Sequence, residues 1–244
     1  MKKSTMFLKA FVACALTTAC LALPGVAFAD TQLAAGSAQL STTAPSAGSW
    51  QANKKASAVK LPKAVQKAFN NATKKYVGTT FVPMAYYGKQ VVSGTNYELI
   101  CKATTVTKKP VTSLKKVKIF VNLKGKAKIT EVKNFKLASY AKNKDYTVSN
   151  APGSWLVPKN HSVATDMPKA ALKAFKKAAK KFSGNQLEPI AYLGNQIVSG
   201  TNYMFLCHGK TTTKKPVNLI QVVTVNQNLK GKATIKSIYT LIAS

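Results

Sequence analysis

The chain has 244 residues, with 37 basic side chains against 6 acidic ones and a formal net charge of +31. Every basic residue is a lysine, so the planar guanidinium fork that reads guanine edges or grips phosphate in two places is missing, which argues against sequence-specific nucleic-acid reading. Two histidines and six scattered acids provide no pairing for acid–base catalysis, and the Cys/His set offers no four closely spaced metal ligands, so composition points to a non-enzymatic protein with no metal or other cofactor.

Lys2, Lys3 and Lys9 precede an apolar run from Ala10 to Leu23, the break Pro24-Gly25 and the small-residue site Ala27-Phe28-Ala29. This is the pattern of a secretory signal peptide over residues 1–29, cleaved near Ala29, and it predicts a soluble protein that is secreted or associated with the cell surface. No later stretch reaches the roughly 20 apolar residues that a transmembrane helix needs. Residues 30–47 are rich in Ala, Ser and Thr, lack Lys and show no periodicity, which predicts a flexible leader.

The remainder is a tandem duplication. Gln90-Val91-Val92-Ser93-Gly94-Thr95-Asn96-Tyr97 recurs 106 residues later as Gln196-Ile197-Val198-Ser199-Gly200-Thr201-Asn202-Tyr203. The same offset relates Cys101 to Cys207 and Asn122-Leu123-Lys124-Gly125-Lys126-Ala127 to Asn228-Leu229-Lys230-Gly231-Lys232-Ala233. Gly48-Ser49-Trp50 matches Gly153-Ser154-Trp155. The implied organisation is a first domain over 48–138, a linker over 139–150 and a second domain over 151–244.

Within the first copy, Pro62 precedes Val65, Ala68, Phe69, Ala72 and Tyr76, spaced as one face of a helix that Pro would start. Pro168, Ala171, Ala174, Phe175, Ala178 and Phe182 repeat the pattern. Lys63, Lys67 and Lys74 lie on the opposite face in copy one, and Lys169, Lys173, Lys176, Lys177 and Lys180 in copy two. Strand-like runs follow at 81–92, 95–107, 117–123 and 127–137, with a further strand after Trp50. The predicted class is α+β, each domain having one helix packed across a four- to five-stranded antiparallel meander. Ser93-Gly94 falls where the first two of these runs must reverse, and Gly supplies the backbone freedom for the hairpin tip. Tyr97, Leu99, Cys101 and Ala103 share the core face of the next strand, while Glu98 and Lys102 point away from it. Cys101 and Cys207, one per copy, therefore read as buried thiols rather than a disulfide or a nucleophile.

Gln-x-Val-x-Gly followed closely by Asn-Tyr, in this order of elements, resembles the first binding hairpin of the cystatins and is closest to the stefin branch. The resemblance covers both copies and implies two tandem cystatin-like domains that inhibit papain-like cysteine proteases. It implies a wedge made of Gly48, Gln90, Val91, Val92, Ser93 and Gly94, and the turn Leu123, Lys124 and Gly125. In the second copy it implies Gly153, then Gln196, Ile197, Val198, Ser199 and Gly200, and Leu229, Lys230 and Gly231. Many cystatins carry Pro-Trp in the second loop, where this chain has Lys-Gly. The alternative role rests on charge: the lysine faces of the two helices would attach the protein to an anionic polymer or surface, with the hairpin motif serving the fold alone.

Overall fold

The computed structural model describes residues 48–53, 61–141, 153–158 and 167–244. The expected signal peptide, the expected leader, most of the expected linker and His161 lie outside the described residues. All described residues belong to one compact unit, Leu33–Ser244.

The first repeat forms β1 (Trp50–Ala52), α1 (Lys63–Thr73), β2 (Thr79–Val92), β3 (Gly94–Thr105), β4 (Thr112–Val121) and β5 (Ala127–Asn134). The second forms β6 (Trp155–Leu156), α2 (Lys169–Ala179), β7 (Asn185–Val198), β8 (Gly200–Thr211), β9 (Asn218–Gln227) and β10 (Ala233–Ala243). Each repeat is a five-stranded antiparallel meander, ordered β1-β2-β3-β4-β5 and β6-β7-β8-β9-β10. Pro62 and Pro168 cap the helices rather than opening them, and the helices end before Tyr76 and Phe182, which had been assigned to their apolar faces.

The expected α+β class, with two tandem cystatin-like domains, is overturned. The described residues are mostly β, with 54% strand against 15% helix, and their framework is two five-stranded sheets with two α-helices of 11 residues each. The physical reason lies in the central strands β3 and β8, whose middles are buried on both faces. Leu99, Ile100 and Cys101 are consecutive and all fully buried, and so are Met204, Phe205, Leu206 and Cys207. Strands with one wet face alternate; continuous burial means that both faces are covered.

One face of each sheet meets its own helix. Val65, Ala68, Phe69 and Ala72 cluster with Tyr86, Leu99, Cys101, Val117 and Ile119, and Ala171, Ala174, Phe175 and Ala178 with Tyr192, Phe205, Cys207, Val223 and Val225. The other face meets the other repeat. Tyr87, Ile100 and Leu114 of the first sheet share one cluster with Trp155, Ile190, Leu193, Leu206, Ile220 and Val222 of the second. At roughly 1.5–3 kcal/mol for each large side chain withdrawn from water, this shared cluster is a major source of stability that neither repeat has alone.

The exit segments complete the join. A 3-10 helix, Leu137–Tyr140, follows β5 and buries Leu137 and Ala138 in the shared cluster. At the other end of the chain, Ser244 Oγ accepts a hydrogen bond from the Ala52 amide at 2.9 Å.

The candidate binding edges

The β2–β3 reversal is as tight as the Gly position demands. Val92 pairs with Gly94, leaving Ser93 alone at the apex. Gly94 has a φ of +134°, and a Cβ there would run into the Val121 carbonyl oxygen; Gly200 meets the Gln227 carbonyl oxygen in the same way. Glycine is thus required twice over, by backbone conformation and by the close approach of the neighbouring strand.

Gln90 ties three segments together. Its Nε2 donates to the Gly48 carbonyl at 2.7 Å, and its Oε1 accepts from Asn96 Nδ2 at 2.8 Å. Gln196 repeats both bonds, to Gly153 at 2.8 Å and from Asn202 at 2.7 Å. Asn226 then donates to Asn202 at 2.9 Å, carrying the network on to β9. The side chain at the start of the motif therefore holds the glycine-bearing segment beside the hairpin.

The second turn lies at the same end of the sheet, because Thr95 pairs with Val121 immediately before it. Asn122 Oδ1 accepts from the amides of Lys124 and Lys126 at 3.0 and 2.9 Å, and Gly125 takes a φ of +75°. Asn228 Oδ1 accepts from the Lys232 amide at 2.9 Å, with Gly231 at +73°. Asn122, Asn228, Asn96 and Asn202 organise both edges yet were not among the expected site residues; their recurrence in both copies was the available signal.

Each repeat thus brings its Gly, its first hairpin and its second turn to one sheet end. What that end presents is apolar: Val91, Val92 and Leu123 in the first repeat, and Ile197, Val198 and Leu229 in the second, are all exposed, Leu123 and Leu229 by 85% and 86%. Of the motif residues, Gln196 and Gly94 are buried, Ser93 and Ser199 exposed.

The lysines at 63, 67, 74, 169, 173, 176, 177 and 180 are exposed, and they sit on the helices or, for Lys74 and Lys180, just past their ends, rather than in the sheet-end turns. Lys177 alone among them is shown reaching an edge turn, its Nζ donating to the Gly231 carbonyl at 3.3 Å. The four ion pairs among the described residues use other lysines: Lys116 and Lys118 on Glu98, Lys118 and Lys133 on Glu131.

Cys101 and Cys207 are free and buried, and burial pushes both thiols well above their ordinary range, so neither is a ready nucleophile. His208 faces Asn218 at 3.3 Å. Among the described residues no group of three or more His, Cys, Asp or Glu is placed to hold a metal, and no helix is long and apolar enough to cross a membrane.

Fold and edges together define a basic β protein of two packed five-stranded sheets, each presenting one apolar-tipped edge. No protein-family model matches the chain, and no curated protein does.

Proposed function

We propose that this chain is a secreted, non-enzymatic protein that blocks papain-like cysteine proteases by inserting its sheet-end edges into their active-site clefts. The carrying observation is the convergence of Gly48, the Val91–Ser93 tip and the Leu123–Gly125 turn at one end of the first sheet, repeated by Gly153, Ile197–Ser199 and Leu229–Gly231 in the second. Exposed aliphatic tips on turns held by hydrogen bonds suit insertion into an apolar cleft, because little order is left to impose on binding. The likeness of the hairpin sequence to the first binding loop of the cystatins supplies the protease class. Titrating the purified chain against active-site-titrated papain tests it: inhibition at micromolar concentration or below is expected, and none from a folded sample overturns the reading.

A second reading rests on a different observation, the eight exposed helix lysines outside the described ion pairs. They would hold the protein on an anionic polymer or surface. Retention on a heparin matrix should fall steeply with salt, and salt-independent retention counts against it.

A further inference from the structure

The lysines that border the edges, unlike those on the outer helix faces, narrow the kind of partner the edges fit. In the first repeat, exposed Lys89, Lys124, Lys126 and Lys128 lie on the same sheet end as exposed Val91, Val92 and Leu123. In the second, exposed Lys230 and Lys232 flank Leu229, and Lys177 reaches the same turn from α2. The two sets are only partly equivalent. Asn195 stands where the first repeat has Lys89, Thr234 where it has Lys128, and Asn71 where the second has Lys177. Two copies that have diverged in which lysines they use both carry exposed lysines next to the exposed leucine of the second turn, at the sheet end that bears the aliphatic tip.

No acid among the described residues pairs with these lysines in an ion pair. Glu98 and Glu131 lie within strands and bind Lys116, Lys118 and Lys133. Glu188 lies in β7 opposite His208, toward the end away from the tip. A partner with a basic or neutral rim would bring like charges together, or leave ammonium groups stripped of water without compensation, at the periphery of the contact.

We infer that each edge is built for an acidic partner, a protein cleft with an apolar floor and a carboxylate rim, and that charge selects among targets that the apolar tips alone would not tell apart. This rests on the inhibitory reading above and narrows it to papain-like proteases whose cleft rims are acidic. The apolar tips supply contact area, while the lysines speed encounter and reject basic-rimmed enzymes.

The test compares two variants of equal charge. One replaces Lys124, Lys126, Lys230 and Lys232 with Gln at the edges; the other replaces Lys108, Lys109, Lys214 and Lys215, in exposed loops at the opposite sheet ends. Inhibition constants are measured at 50 and 500 mM NaCl against a papain-like protease with an acidic cleft rim and against a form of it with those carboxylates changed to amides. Circular dichroism and urea midpoints check folding. The expected result for the edge variant is at least tenfold weaker inhibition of the acidic enzyme, with most of the salt dependence gone. The far-end variant should differ from wild type by less than threefold, and the amide enzyme should be inhibited weakly by all three. Equal behaviour of the two variants, or inhibition indifferent to salt, overturns the acidic-partner inference while leaving the inhibitory edge intact. No inhibition by wild type at either salt removes both.

Discussion

Gly194 lies against Leu137, a residue of the other repeat. A Cβ on Gly194 would stand 2.7 Å from Leu137 Cδ1 and 2.5 Å from the Leu156 carbonyl oxygen. Gly88, its equivalent in the first sheet, lies against Ile242 Cδ1. Each repeat therefore seats its exit segment on a glycine in the other's long strand, and the two sheets lock by reciprocal contact. Gly194→Ala should cost about 1–3 kcal/mol, the usual penalty for overpacking, since it strikes backbone as well as side chain. Gly88→Ala should cost less, because its closest contact, Ile242 Cδ1, is the far end of a side chain and the nearest backbone atom, Gln51 O, is 3.2 Å away. Urea unfolding of both variants checks the ranking; equal midpoints would contradict it.

Glu98 is the one buried acid described. It accepts from Lys116 at 3.1 Å and from the Tyr87 hydroxyl at 3.0 Å, with Lys118 at 3.7 Å. The second repeat has Met204, Val222, Leu193 and Thr224 at these places. Glu98→Ala leaves Lys116 and the buried Tyr87 phenol without their partner, while Lys118 keeps Glu131 at 3.5 Å, and a loss of about 1–3 kcal/mol is expected. The loss is moderated by the partial exposure of the lysines. Replacing all four residues with their second-repeat counterparts should recover most of it, since a well-packed apolar set often matches a buried ion pair. Denaturant midpoints of the single and quadruple variants decide this.

Gln90→Ala and Gln196→Ala remove the bridge between the glycine segment and the hairpin. Each should lower stability by only about 1 kcal/mol, in the range of ordinary hydrogen bonds. Inhibition should fall further than stability, because the edge loses its alignment before the sheet loses its fold. Parallel loss of the two, measured by papain titration and urea unfolding, would point to a role in folding alone.

Burial, and then the neighbouring Tyr97, push the Tyr86 phenol up to about 12. Tyr87 and Tyr192 move in the same direction. Between pH 10 and 12 the unfolded chain has released the Tyr86 proton and the folded chain has kept it. Folding then takes up a proton, so this contribution is complete below pH 10 and is lost as pH rises toward 12. In an alkaline titration these phenols should ionise together with the loss of circular dichroism. Ionisation of all nine tyrosines near pH 10 in a still-folded sample would contradict the burial.

Much of the local structure was legible. The alternation and turn residues located the four long strands of each repeat, Pro62 and Pro168 marked the helix starts to within one residue, and Ser93-Gly94 marked the hairpin. The fold class differs from the expectation because the sheet face away from each helix is covered by the other repeat, which local spacing does not show. Glu98 points away from the Leu99 and Cys101 face as its spacing implies, yet it is buried, because the face it shares with Ile100 meets the other repeat. Consecutive apolar residues such as Met204-Phe205-Leu206-Cys207 carried the contrary signal. The candidate edge was legible as turns, whereas the role of Gln90 in holding Gly48 was not, since that bond joins residues 42 apart in sequence.

The sequence by itself determined the duplication, the hairpin glycines, the excess of lysine and the helical stripes. These are properties of spacing and backbone preference, and they act over a few residues. Only the tertiary structure decided that the two copies share a core, that the exit segments sit on Gly88 and Gly194, and that apolar tips and lysines gather at the sheet ends. Those features depend on which face of a strand meets which, and burial of both faces becomes definite only when one repeat covers the other.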